Sequence, residues 1–352
     1  MTEREYRAHP ANSYSTIREF IKDRKKYHKK YILGERVKED EDESDASILG
    51  SLVHMLLSEP DKVEDNFQMA LVDKPTGQMK DFVENLYKVT LEATGLNGVV
   101  TRPMSSLLEE AFNKTKFDRN GEKVAFKNKE LSDVVEKFVG SNAESYYEQL
   151  RTSEVRYIIN PSDLENSNNI VQGLKTSFNT KGLINQGDEE GVEVHNEYKI
   201  FFEIGGVEFK GMIDKLIVSH RKKNIIPLDY KITWMVEDWD TAFRKNGYYI
   251  QTASYNEGIK QWAVENGYEE YKIKPLSFIV VDSINYMNPL IYKTDKTHHD
   301  CGMNGYVDQY GKYHMGIKKA LEDIAWHKKT GIWNISKDNY ENGGIVPLRQ
   351  LV

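Results

Sequence analysis

The chain has 352 residues, with 48 Lys and Arg against 55 Asp and Glu, a formal net charge of −7, 39% hydrophobic residues and 29% charged residues. That balance excludes a disordered tail, a collagen-like fibre and a small disulfide scaffold, and it leaves room for one large domain or two ordinary ones. A single cysteine, Cys301, cannot form an internal disulfide or supply a four-thiolate zinc or iron–sulfur site, so a reducing compartment is expected. No apolar run approaches the roughly 20 residues that span a bilayer. The opening MTEREYRAHP is too polar for a secretory signal. A soluble, cytoplasmic protein with no membrane partner is the expectation. Net acidity speaks against coating nucleic acid through overall charge, yet is compatible with a local basic channel.

From the N-terminus, Ile17, Phe20, Ile21, Tyr27 and Tyr31 recur at helical spacing and predict one helix from Ser15 to Leu33, closed by Gly34. Arg18 to Lys30 hold seven Lys or Arg and two acids, and Glu39 to Asp45 then hold six acids in seven positions. The basic strip is either a solvated helix face or a surface that touches phosphate. A second helix is predicted from Ala46 to Ser58, ahead of Pro60. Between residues 79 and 180, helical stretches (Lys80 to Thr94, Asn128 to Thr152, Ser162 to Asn179) alternate with polar loops and offer no chemistry.

The periodicity then changes. Val192 to Ile204, Val207 to Ser219 and Asn224 to Lys231 read as strands. Gly205-Gly206 is a two-residue hairpin signal, and His220 to Lys223 a short polar turn. A helix from Gly247 to Asn266, a strand from Leu276 to Asp282, its partner around Leu290 to Lys293 and a long helix from Val307 to Thr330 complete the order. The implied class is α/β or α+β, with a mixed central sheet flanked by helices and preceded by a largely helical half. The expected division is 1–185 for the helical part and 186–352 for the core, the two forming one compact unit.

Four short motifs carry the chemistry. In GSLVH, Gly50 and His54 share a helix face, and the glycine leaves space beside the histidine. In GMID, Asp214 sits on a strand, where an acid needs a partner if buried and is otherwise an exposed strand-end residue. In DYKIT, alternation puts Asp229 and Lys231 on one face at the end of an apolar strand. In QTASY, Gln251 and Tyr255 share a helix face. Each alone has an ordinary structural explanation: a packed histidine, a local ion pair, an amphipathic helix. Together they fit metal-dependent hydrolysis of a phosphodiester. Asp214 and Asp229 would chelate a hard divalent cation, with His54 as a further ligand. Lys231 would orient water or neutralise transition-state charge, and Gln251 and Tyr255 would hold Lys231 or the scissile phosphate.

The order GxxxH, GxxD, DxK, QxxxY resembles the RecB-like branch of the PD-(D/E)XK nuclease superfamily. The wider chain, about residues 12 to 350, resembles the RecE-type exonucleases of phages and prophages. Ser13 to Leu33 ahead of GSLVH, the strand Phe278 to Asp282, the long helix after it and Trp333 carry that likeness. The resemblance implies a restriction-endonuclease-like core, a magnesium cofactor with manganese as the alternative, and Glu197 as a further acid near the metal. It implies ends of linear double-stranded DNA as substrate, degraded 5′ to 3′ to leave a 3′ overhang for recombination through a single-strand annealing protein. It also implies a ring-like homo-oligomer. The lack of a cysteine cluster excludes an iron–sulfur cluster and places the chain with RecE-type rather than Cas4-like relatives. Lys22, Arg24, Lys25, Lys26, Lys29 and Lys30, or Arg244 and Lys245, would contact phosphate. The competing readings are a structure-specific or Cas4-like endonuclease, which would cut circular duplex, and a non-catalytic DNA-binding scaffold, which would bind no metal.

Overall fold

The structure, a computed structural model, describes residues 1, 3–35, 45–95, 98–117, 121–153, 157–285 and 288–346. The acidic run that begins at Glu39 lies outside them as far as residue 44. The chain forms two compact units, Met1–Glu59 with Asn168–Val352, and Pro60–Ser167. The division expected near residue 185 does not coincide with this one. The first helices belong with the sheet because their apolar faces are buried against it, and a separate core occupies the middle of the chain.

The middle unit is helical. Gly77–Glu92, Met104–Lys116, Leu131–Phe138 and Asn142–Thr152 enclose Phe82, Leu86, Leu107, Phe112 and Tyr147. The single helix expected from Asn128 to Thr152 is two, because Gly140 takes a left-handed φ of 71° between them. A short parallel pair, Phe67–Met69 with Tyr157–Ile159, joins the start and end of this unit.

The other unit is built on a mixed sheet. Its main strands are β1 (Val192–Ile204), β2 (Val207–Ser219), β3 (Asn224–Thr233), β4 (Ser277–Asp282) and β5 (Leu290–Lys293), adjacent in that order. The first three form an antiparallel meander, β3 and β4 are parallel, and β5 returns antiparallel. Gly205 and Gly206 both have positive φ, 61° and 74°, as a tight hairpin between right-twisted strands requires. The α/β class with a mixed sheet is therefore as the periodicity implied.

Both faces of the sheet are covered. On one, Ile213, Leu216, Phe278 and Val280 pack with α1 (Tyr14–Lys22), α3 (Tyr248–Glu265) and α5 (Ile317–Thr330). On the other, Ile217, Leu228, Tyr230 and Ile279 pack with Val53 of α2 (Asp45–Ser58) and with Ile170 and Leu174. This double burial explains why β4 is apolar without alternation from Phe278 to Val281.

Two expected helices differ. The Ser15–Leu33 helix stops at Lys22, because Asp23 leaves helical geometry and its side chain caps the next turn by accepting from the amides of Lys25 and Lys26. A π-helical turn, His28–Ile32, follows. The helix expected from Val307 begins only at Ile317. A short hairpin, Tyr306–Val307 with Tyr313–His314, precedes it, and α4 (Lys296–Asn304) precedes that. Helix α4 lies so close to α3 that a Cβ on Gly302 would stand 2.1 Å from the Tyr249 carbonyl oxygen. Gly302→Ala is therefore expected to cost about 1–3 kcal/mol through overpacking. Urea denaturation of the variant beside the parent chain measures it, and unchanged stability would contradict this packing.

Candidate active site

The site begins with a slip in strand alternation. On β1, Val192 and Val194 pack with the α2 face, whereas Ile200, Phe202 and Ile204 pack with the α3 face. On a regular strand these even-numbered residues would all share one face. On β2, Phe209 and Ile213 pack on the α3 side, and so do Leu216 and Val218. Both strands therefore reset between their two halves, at Glu197 on β1 and at Asp214–Lys215 on β2. The register places Glu197 opposite Asp214, yet the pair is absent from an otherwise continuous run of partners. Glu197 has a φ of 45°, in the left-handed region that side chains rarely adopt. Such backbone costs about 1–3 kcal/mol and collects at functional sites.

Asp214 is buried where β2 and β3 separate. Their ladder ends at Lys215–Leu228. Beyond it the Asp214 carboxylate accepts the Tyr230 amide at 2.6 Å. The exposed strand-end reading of Asp214 is thereby overturned. His54, from α2, puts Nδ1 3.6 Å from Glu197 Oε1 and 3.6 Å from Asp214 Oδ2. Its ring meets Tyr230 edge-on. A Cβ on Gly50 would meet nothing within 4 Å, so the expected space beside His54 is there. One turn on, the Ser58 hydroxyl contacts both the His54 carbonyl (2.7 Å) and Glu197 Oε1 (3.4 Å).

Asp229 and Lys231 point from β3 toward α3. Gln251 Nε2 donates to Asp229 Oδ1 at 2.5 Å, while Asp229 Oδ2 is ion-paired with the Lys231 ammonium. That ammonium lies 5.0 Å from the ring centroid of Tyr248 and 5.8 Å from that of Phe278. Gln251 thus holds Asp229, not Lys231. Tyr255 holds neither: its hydroxyl donates to the Met212 carbonyl at 2.8 Å. Its ring explains the glycine of GMID, since a Cβ on Gly211 would stand 3.3 Å from it.

The electrostatics follow from crowding. Burial pushes the His54 pKa down, but the carboxylates of Asp214 and Glu197 outweigh burial and raise it to about 9. Burial, and then the negative charge of Asp229, raise Asp214. Burial opposes the charge on Lys231, yet Asp229 holds it above the ordinary lysine range.

Among the described residues, His54, Glu197 and Asp214 form a group whose ligand atoms all lie within 4.8 Å of one another. One imidazole nitrogen and two carboxylate oxygens, two of the three residues half-buried and the third buried, fit a divalent cation. Asp229, expected as a ligand, stands outside this group, engaged with Lys231 and Gln251. Of the expected phosphate-binding residues, Lys25, Lys29, Arg244 and Lys245 are exposed. Lys26 is 3.8 Å from Glu19, and Arg244 is paired with Asp240 at 2.8 Å. Ser58 lies outside the four sequence motifs. Serine four residues beyond a candidate ligand on the same helix was the available signal for Ser58.

No family model and no curated protein matches the chain. Among solved structures it is similar to a putative exonuclease from Eubacterium rectale, at 13% identity and a TM-score of 0.42, over 99% of this chain and 89% of that one. No helix among the described residues is long and apolar enough to cross a membrane.

The geometry separates ligands from supports. Asp214→Asn is expected to weaken manganese binding at least about tenfold in calorimetric titration. Tyr255→Phe should leave binding close to that of the parent while costing about 1 kcal/mol of stability through the orphaned Met212 carbonyl. Equal metal affinity in Asp214→Asn would remove Asp214 from the ligand set.

Proposed function

We propose that this protein is a metal-dependent nuclease that hydrolyses phosphodiester bonds of DNA. The observation that carries the reading is the juxtaposition of the His54–Glu197–Asp214 group with the Asp229–Lys231 pair across the gap between β2 and β3. A divalent cation bound to His54, Glu197 and Asp214 would supply Lewis-acid stabilisation of charge on a phosphodiester.

The chain's own groups do the rest. Lys231, kept protonated by Asp229, presents a fixed positive charge beside the group and favours the extra negative charge of the transition state. Gln251 fixes Asp229, and through it Lys231, so the cation need not reorganise as charge develops. Tyr255 fixes the backbone two residues before Asp214. Ser58 steadies the Glu197 carboxylate.

The finer reading rests on the order of the four motifs, which resembles RecE-type members of the PD-(D/E)XK superfamily. In that reading the enzyme is an exonuclease of phage or prophage origin that works on ends of linear duplex DNA. It runs 5′ to 3′ with magnesium and leaves a 3′ overhang for recombination by a single-strand annealing partner. Lys25, Lys26, Lys29, Arg244 and Lys245 contact phosphates, and the working form is a ring of identical subunits.

End-labelled linear duplex, incubated with magnesium beside a covalently closed circle and an EDTA control, tests the activity. Metal-dependent loss of the linear DNA alone is expected, with the label giving the polarity. Cutting of the circle would instead favour an endonuclease. Asp214→Ala, Asp229→Ala and Lys231→Ala should each lower the rate about 100-fold or more. Near-normal cleavage by a folded Asp229→Ala chain would sink the assignment.

Neutralising Lys22, Lys25, Lys26 and Lys29 together should weaken DNA binding and flatten its salt dependence, by about 0.9 in log–log slope for each phosphate no longer neutralised. An unchanged slope would reject that strip as a DNA surface.

A further inference from the structure

Tryptophan is highly buried on average. The chain has five. Trp239, Trp262, Trp326 and Trp333 are buried or half-buried, and each packs against other rings. Trp234 is 64% exposed, and no ring contact or hydrogen bond of its side chain is found among the described residues. It directly follows the last residue of β3, three residues beyond Lys231. At the rise of an extended strand that is about 10 Å from the Lys231 backbone.

The surroundings give this exposure a direction. β3 and β4 are parallel, and the crevice outside the carboxyl ends of parallel strands is where open α/β sheets bind ligands. The two strands leave that edge side by side, the Ser283 amide donating to the Thr233 carbonyl at 3.0 Å. Ile284, just beyond, is 62% exposed. The rim thus presents a large unpartnered aromatic with an apolar neighbour, continuous with a strand whose Lys231 carries a positive charge. A cation for the backbone and an aromatic face for the bases is the combination that binds single strands irrespective of sequence.

We propose that Trp234 is a platform on which a base of the DNA strand stacks while a phosphate of that strand lies at Lys231; this rests on the nuclease reading above. The occupant is a nucleobase rather than an apolar protein segment because the patch is continuous with the charged site. Trp234 is a positioning residue: it sets how the strand is held and takes no part in bond breaking.

The test uses the full chain carrying Trp234→Ala or Trp234→Phe. Anisotropy of a labelled thymidine oligonucleotide is measured with calcium, and steady-state cleavage of linear DNA with magnesium. Trp234→Ala should weaken oligonucleotide binding and raise KM about tenfold or more, with kcat at saturating DNA far less affected. Trp234→Phe, which restores a ring, should recover most of the loss. Binding and KM equal to the parent in Trp234→Ala would overturn the platform and leave the nuclease reading standing. An effect of Trp234→Ala on self-association in sedimentation, with DNA binding untouched, would overturn it in favour of a protein contact. If the unaltered chain binds DNA through Trp234 but cuts nothing, the platform stands and the nuclease reading falls.

Discussion

Glu197 and Asp214 face one another across two antiparallel strands, and the rest of the site depends on how that repulsion is accommodated. Like charges directly opposite destabilise a ladder. Here the ladder omits the pair, both strands change the face they bury, and Glu197 takes a left-handed backbone. The distortion turns two carboxylates toward His54 on the far layer. The same opening between β2 and β3 gives Asp214 the Tyr230 amide to hold. A regular pair of strands would place neither acid usefully.

The third acid, Asp229, is managed differently. It is buried across the gap between β2 and β3, tied by Gln251 and neutralised by Lys231. A buried carboxylate without partners is costly, and losing one partner of a buried pair typically leaves an uncompensated charge. The sheet therefore separates two electrostatic tasks. β1 and β2 offer an electron-rich group suited to a cation, and β3 stores a permanent cation next to it.

Much of this could be read from the sequence, and the exceptions have physical causes. The strands of the meander were legible because Gly205-Gly206 and the polar turn at residues 220–223 punctuate apolar runs. His54, Asp214, Asp229 and Lys231 were legible as a set, since acids and bases in apolar strands need partners. Their bonding was not. Periodicity places Gln251 and Tyr255 on one helix face but cannot say that one reaches a carboxylate and the other a backbone carbonyl. Glu197 is marked only by the family resemblance, because a reset in alternation leaves no sign in the periodicity of β1. The helix break at Asp23 was hidden by basic and aromatic residues that continue the helical spacing. Trp234 carries no signal in the sequence, because one exposed aromatic beyond a strand end has no period.

The placement of the middle unit bears on how the molecule assembles. His54 lies before residues 60–167 and its two carboxylate neighbours lie after them, so the group can close only when chain ends far apart in sequence meet. Loop-closure entropy grows with the logarithm of the intervening length, and contacts of high sequence separation form slowly. A middle unit with its own core can condense first, and its terminal strands, Phe67–Met69 and Tyr157–Ile159, then hold its two ends together. That shortens the effective loop before α2 docks on the sheet. The order also means that in a chain still growing His54 is made well before Glu197 and Asp214, so the three ligand atoms can come together only after β1 and β2 have been added.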